Sequence, residues 1–261
     1  MFDFLNFSLF KTRIEGMGYK YSFFDFFKGF LFYSLLIIIC AYFHKLQWPY
    51  IVFIIVIFAM MLPISIYSQY KYVYEQKKFQ ELCTYLKQIK INFKTHKKVL
   101  RALQETREVF TEKDFMSKYI DQAIEAIENG TGLRDSLDII EREYKNSYIT
   151  NIHMYMILAE TEGGESVYQA LDNVDYESWQ TDTYIQQTQK FKIQGQNAYY
   201  TVGMLILSII TFSKCMPQDM MVDVYESFTY QLYTFFYILV DLIAFIAVKT
   251  LIAGKWINEK E

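Results

Sequence analysis

Four runs of sixteen or more almost uncharged residues, two near each end of the chain, restrict what this sequence can fold into more than any other feature. They are FFKGFLFYSLLIIICAYF (26–43), YIVFIIVIFAMMLPISIY (50–67), AYYTVGMLILSIITFS (198–213) and YQLYTFFYILVDLIAFIAVKTLIAG (230–254). Each matches or approaches the length of helix needed to cross a hydrocarbon core, and a chain of 261 residues has no soluble core large enough to hide all four. The first pair is joined by only six residues, 44–49, and makes a tight hairpin with Trp48 and Tyr50 suited to the interface. Pro63 is expected to bend the second span, because proline removes a helical hydrogen bond. The 130 residues from 68 to 197 carry most of the charge, so water is their expected solvent.

Short flanking segments set the orientation. Lys11, Arg13, Lys20 and Lys28 precede span one; Lys71, Lys77 and Lys78 follow span two. Lys190 and Lys192 precede span three, and Lys249, Lys255 and Lys260 follow span four. The opposite side offers Lys45 in one loop and Lys214 among Asp219, Asp223 and Glu226 in the other. By the positive-inside rule both termini and the central domain face the cytoplasm. The aromatic segment FDFLNFSLF (2–10) reads as an interfacial helix, since Asp3 and Asn6 make it a poor span. No cleavable leader is expected, and Cys40, Cys83 and Cys215 form no spaced pair, so no disulfide framework is expected either.

The central segment reads as helices throughout. Val73, Phe79, Leu82, Cys83, Leu86 and Ile89 recur at steps of three and four on a helix continuous with span two, broken near residues 92–96. A second helix carries Val99, Leu100, Ala102 and Leu103. Thr111 and Asp114 have capping-box spacing and open a helix presenting Phe115, Tyr119, Ile120, Ala123, Ile124 and Ile127, stopped at Asn129-Gly130-Thr131-Gly132. Leu133, Leu137, Ile140 and Tyr144 mark the next helix, and residues 149–159 another that ends at Gly163-Gly164. Residues 167–193 are expected to form one long helix returning to the membrane. The fold class is therefore an all-α integral membrane protein, with four transmembrane helices and a cytoplasmic bundle of about six helices between spans two and three. The division runs 1–28 (cytoplasmic or interfacial), 29–67 (hairpin), 68–197 (bundle), 198–254 (hairpin) and 255–261 (cytoplasmic tail).

Charge is unevenly placed along the bundle. From Lys71 to Arg101 there are nine basic residues and two acidic; from Ala102 to Asp182 there are six basic and 18 acidic. The basic part fits either a helix against anionic lipid or a docking surface for a cytoplasmic partner, with Lys87, Lys90, Lys94 and Arg101 as its candidates. The acidic part argues against direct nucleic-acid binding.

Catalytic patterns do not occur. His44, His96 and His153 are far apart, and there is no HExxH, Cys/His ligand spacing, EF-hand loop, GxxxxGK[ST], GxGxxG or GxSxG. No enzyme activity, metal or cofactor is expected. Glu160, Glu162 and Glu165 surround Gly163-Gly164 without a loop long enough to wrap an ion. Asp241 interrupts span four, and an isolated intramembrane carboxylate needs a polar partner, a neighbouring subunit or a proton. Helix registry, conformational coupling, a packed contact with Ser208 or Thr211, and a proton site all remain open for it.

Two elements carry a resemblance to a known family. Gly130-Thr131-Gly132-Leu133-Arg134-Asp135-Ser136-Leu137 is one, and Glu160-Thr161-Glu162-Gly163-Gly164 followed by Val167 and Leu171 is the other. In this order they resemble the inner-membrane platform proteins of type II secretion systems and type IV pili, particularly the single-domain members of the tight-adherence (Tad) pilus systems. An earlier element of that family opens with glycine; here it reads His96-Lys97-Lys98-Val99-Leu100-Arg101-Ala102-Leu103, with His96 at the glycine position. The resemblance spans residues 79–256, and the aromatic and lysine content departs from the family's alanine- and leucine-rich norm toward that of a low-GC bacterium.

What the resemblance implies is a non-enzymatic scaffold of the bacterial plasma membrane. It would dock a hexameric secretion or pilus ATPase, act on pilin or pseudopilin subunits, and form homo-oligomers or pair with a related platform subunit. Gly130, Gly132, Leu133, Leu137, Glu162, Gly163 and Gly164 would be architectural. The alternatives are a membrane-anchored adaptor for another ATPase and a small transporter, the latter poorly served by spans whose mid-bilayer polarity is mainly Asp241.

Overall fold

The computed structural model describes residues 7–215, 223–252 and 256–257, apart from a number of side chains within 7–9, 198–215 and 249–252. The protein is all-α. Its helices are α1 (Phe7–Glu15), α2 (Phe23–Phe43), α3 (Trp48–His96), α4 (Val99–Arg107), α5 (Phe115–Glu128), α6 (Leu133–Glu143), α7 (Ser147–Thr161), α8 (Glu165–Asp172), α9 (Tyr176–Cys215) and α10 (Phe228–Ile252). Among the described residues three helices are long and apolar enough to cross a membrane: α2, α3, and α10 over Phe228–Val248. The fourth expected span, 198–213, falls within α9, where most of its side chains lie outside the described residues. The chain divides into two compact units, one of residues 1–72 and 188–254, the other of residues 73–187 and 255–261.

In the first unit the packing is that of apolar helices in lipid. Ile37 and Ala41 of α2, Ile54, Phe58 and Leu62 of α3, and Ile238 and Ile246 of α10 form one buried cluster. On the far face of α2, Leu31, Phe32 and Leu35 remain more than half exposed, which water would penalise and hydrocarbon does not. Helix α2 opens at Phe23, three residues before the apolar run, because Ser22 and Asp25 form a capping box. Of the expected interfacial segment 2–10, residues 2–6 lie outside the described residues. Phe10 and Ile14 of α1 are buried beside Tyr21, which stands edge-on to both Phe10 and Tyr70. This face of α1 packs on protein.

In the second unit α3 is the element on which the others pack. Its buried Phe79, Leu82, Tyr85, Leu86, Ile89 and Phe93 follow the helical period, and each fully buried apolar side chain contributes roughly 1.5–3 kcal/mol. Helix α5 packs on α4 and α6, and α7 on α4, α6 and α8. Phe93 stacks on Tyr168 of α8, and Phe79 meets Trp179 of α9 edge-on.

Turn chemistry explains most boundaries. After α5, Gly130 takes φ 85°, and Thr131 N–H bonds Ala126 C=O while Gly130 N–H bonds Ile127 C=O, a Schellman closure that glycine favours. Gly163 and Gly164 are also left-handed, with φ of 70° and 103°. The break expected at 92–96 comes slightly later. Helix α3 continues to His96, and Lys97 takes the left-handed conformation (φ 57°) with its N–H on Phe93 C=O. Thr111 and Asp114 do pair, with Asp114 accepting from the Thr111 backbone and hydroxyl, but they close a turn before α5 starts at Phe115.

The single helix expected over 167–193 is two helices. Helix α8 stops at Asp172 with Asn173 as its cap, and Asp175 accepts from Ser178 N–H and hydroxyl to start α9. The break is held from a distance by α3: Lys90 donates to Asp172 C=O at 2.8 Å, and Lys94 donates to both Asp172 carboxylate oxygens at 2.8 and 3.0 Å. Lys90 thus satisfies a carbonyl at the carboxyl end of α8 that a longer helix would have paired internally, while Lys94 holds the Asp172 side chain.

Candidate functional site

Within the bundle unit, α3 and α9 each contribute a stripe at i, i+1, i+4, i+5 and i+8. From α3 these are Phe79, Gln80, Cys83, Thr84 and Lys87; from α9, Tyr176, Glu177, Gln180, Thr181 and Tyr184. Between them lies a groove of about 590 Å³. Its floor is apolar and buried, with Phe79 at 2%, Tyr176 at 5% and Cys83 at 6% exposure, while Lys87, Glu177 and Tyr184 stand exposed at its rim. Burial pushes the Cys83 thiol up to about 12, so it is protonated and unreactive in place. An apolar floor with a polar rim suits the docking of a peptide or protein segment better than group-transfer chemistry.

The four basic residues expected to dock a partner are separated by the fold. Lys87 is on the groove rim and exposed. Lys90 and Lys94 are engaged on α8 as described, and Lys90 also lies over the Tyr176 ring. Arg101 is exposed on α4 and lies 4.0 Å from Glu105. Much of the sequence's charge asymmetry is internal complementarity: Lys77 pairs with Asp114, Lys78 with Glu143, Lys94 with Asp172, and Lys98 with Glu160.

The two motif elements are found at turns. Gly130 closes α5, Gly132 is the N-cap position of α6, and Leu137 is fully buried while Leu133 is half-buried. Glu162 caps α7 at its exposed end, and Gly164 begins α8. Glu160, which opens the second element, has a role there that the sequence did not show. Glu160 accepts from Val99 N–H at 2.6 Å and from Lys98 Nζ at 3.2 Å, so a carboxylate on α7 caps the first turn of α4.

A buried polar network was also missed. His153 of α7 bonds Tyr85 of α3 at 2.7 Å through Nε2 and Glu141 of α6 at 3.0 Å through Nδ1. Glu141 further accepts from Arg134 at 3.1 and 3.3 Å and from Thr150 at 3.0 Å. With the Nδ1 proton on the carboxylate side, Nε2 accepts from the Tyr85 hydroxyl. The connectivity is that of a proton relay, but Tyr85 and His153 are fully buried and neither lines the groove. The arrangement can orient helices; it offers no face to a substrate. The available signal was His153 lying beside Ile152 and three residues before Met156, on the apolar face of its helix.

Burial lowers the affinity of His153 for a proton, against the opposing pull of Glu141. Burial alone would raise Glu141, but the His153 and Thr150 hydrogen bonds and the Arg134 charge hold it below the usual carboxylate range. Both groups take protons more readily when unfolded. Stability is therefore greatest above about pH 6.5, where unfolded histidine is neutral, and falls as the pH drops, first through His153 and below about pH 4.5 through Glu141. Thermal melts of the detergent-solubilised protein between pH 8 and 5 are expected to show this decline. The His153→Gln variant is expected to start lower and to lose the part of the slope that His153 contributes.

Asp241 is half-buried on α10. Among the described residues its carboxylate has no hydrogen bond or ion pair. Of the partners considered for it, Ser208 is within 3.4 Å of His44 Nε2 instead, and the side chain of Thr211 lies outside the described residues. No group of three or more His, Cys, Asp or Glu able to hold a metal ion occurs among the described residues. No family model, curated protein or solved structure matches the chain.

Proposed function

We propose that this chain is the membrane platform of a type IV (Tad-like) pilus or type II-like secretion machine. It is a non-enzymatic scaffold of the bacterial plasma membrane, with both termini and the bundle in the cytoplasm. It docks a hexameric assembly ATPase and couples that motor to the insertion or extraction of pilin subunits, as a homo-oligomer or beside a related platform subunit. One observation carries the reading: the residues behind the resemblance are those that close the turns of the bundle. Gly130 sits in a left-handed Schellman turn, Gly163 and Gly164 take positive φ between α7 and α8, and Glu160 ties the end of α7 to the start of α4. Helices α3 and α9, each belonging in part to both units, give such a scaffold a packed route for displacement.

The docking surface in this reading is the α3–α9 groove with Lys87 at its rim. Charge reversal at Lys87 changes a rim charge that has no ion pair among the described residues, whereas reversal at Lys90 or Lys94 would also unseat α8. With the protein in mild detergent and a candidate hexameric ATPase, Lys87→Glu is expected to weaken binding roughly tenfold, and more at low salt, without changing the melt. Wild-type protein that is folded yet neither binds the ATPase nor alters its turnover would remove the direct-docking model.

A further inference from the structure

Phe79 stands at one end of the groove's α3 wall. As the groove's innermost aromatic residue it is held between two tryptophans: Trp179 at 5.3 Å between ring centroids, and Trp256 at 5.5 Å. Trp179 belongs to the bundle and is itself backed by Tyr148. Trp256 comes from beyond α10. It is 2% exposed and the next residue, Ile257, 8%, and both are assigned to the same compact unit as the groove. A tail that happened to run past a helical bundle would not bury its two apolar residues this fully. Burial of a tryptophan against a phenylalanine combines large apolar area with a favourable ring pair. The contact among the described residues is nevertheless small, two side chains. Its opening free energy belongs with the lower end of those within a protein, unlike the α3 core beneath it.

We infer that Trp256 and Ile257 form a C-terminal latch that closes the Phe79 end of the α3–α9 groove and must lift before a partner can seat there. This regulation rests on the groove being the docking surface. The closure itself does not, because it is a property of the free chain.

Cys83, one helical turn from Phe79 on the same wall, reports on closure directly. In a background with Cys40 and Cys215 replaced by serine, the rate of maleimide labelling at pH 8 is compared for the parent, Trp256→Ala and Trp256→Phe. Ile152→Ala, a core cavity away from the tail, sets the labelling caused by a merely loosened bundle. Trp256→Ala is expected to label about tenfold faster than the parent, and faster than Ile152→Ala, with Trp256→Phe close to the parent. Equal rates for Trp256→Ala and either the parent or Ile152→Ala overturn the latch.

Binding of the hexameric ATPase supplies the second arm. If Lys87→Glu weakens binding and Trp256→Ala tightens it, the latch competes with the partner. If Lys87→Glu weakens binding and Trp256→Ala leaves it unchanged, docking stands and the latch as a regulator falls. If no form binds, the docking reading fails, and the labelling rates alone decide whether the groove is closed by its own tail.

Discussion

Replacing Glu141 by alanine is expected to destabilise the bundle by about 2–4 kcal/mol, the cost of leaving a fully buried imidazole without its acceptor and of losing the bonds the carboxylate accepts. The carboxylate is 8% exposed and receives bonds from three side chains: both terminal guanidinium nitrogens of Arg134, the hydroxyl of Thr150 and Nδ1 of His153. Its removal leaves a fully buried imidazole without an acceptor, and through that ring it unsettles Tyr85 on α3. A bundle of this size is stable by only about 5–15 kcal/mol in total, so the loss is a large fraction. Urea unfolding followed by Trp179 fluorescence checks it. Glu141→Gln keeps the shape and part of the hydrogen bonding and should cost about 1–3 kcal/mol. A loss below about 1 kcal/mol for Glu141→Ala would mean that water or repacking replaces the carboxylate, and that this network does not hold α6 and α7 on α3.

This network also marks where sequence reasoning reaches its limit. The faces of α3 and α5 could be read because apolar residues recur with the helical period, and the ends of α5 and α7 because left-handed backbone at Gly130 and Gly163 costs glycine little. Glu81, Glu141 and Glu160 could not be read. By pattern each is a surface carboxylate, whereas Glu81 accepts from Met116 N–H, Glu160 from Val99 N–H, and Glu141 anchors a histidine. Their partners lie between 12 and 61 residues away, and no local periodicity encodes such distances. The same holds for the end of α8, which Lys90 and Lys94 fix from 82 and 78 residues upstream. Those lysines looked like a docking stripe because charge on one helical face is visible in sequence and its internal counter-charge is not. The candidate groove was half visible: its α3 wall follows the apolar period, but its α9 wall depends on where α9 begins.

The largest loss in the span-bearing unit is expected at Gln231, which the sequence shows only as one polar residue at the start of an apolar run. It is 1% exposed, and its amide is used in full. Oε1 accepts from Gln47 N–H at 2.8 Å, while Nε2 donates to Lys45 C=O at 3.1 Å and Tyr225 C=O at 2.6 Å. One side chain thus joins the turn between α2 and α3 to the segment leading into α10, assisted by Tyr230, whose hydroxyl donates to His44 C=O at 3.0 Å. Gln231→Leu preserves volume and leaves one N–H and two carbonyls without this partner; at about 1–3 kcal/mol for each, roughly 3 kcal/mol or more should be lost. Gln231→Glu separates hydrogen bonding from mere fit. It retains the acceptor for Gln47 but turns a carboxylate oxygen toward two carbonyls, so it should be worse than leucine although it is closer in shape. Fluorescence-detected size-exclusion melts of the three proteins decide the matter: Gln231→Leu and Gln231→Glu melting with the parent would mean that apolar packing alone pairs the two segments. The predicted order, parent above leucine above glutamate, is what fixed donor and acceptor positions require, because helices packed only through greasy faces can slide by a turn at small cost, whereas three directional bonds hold a single register.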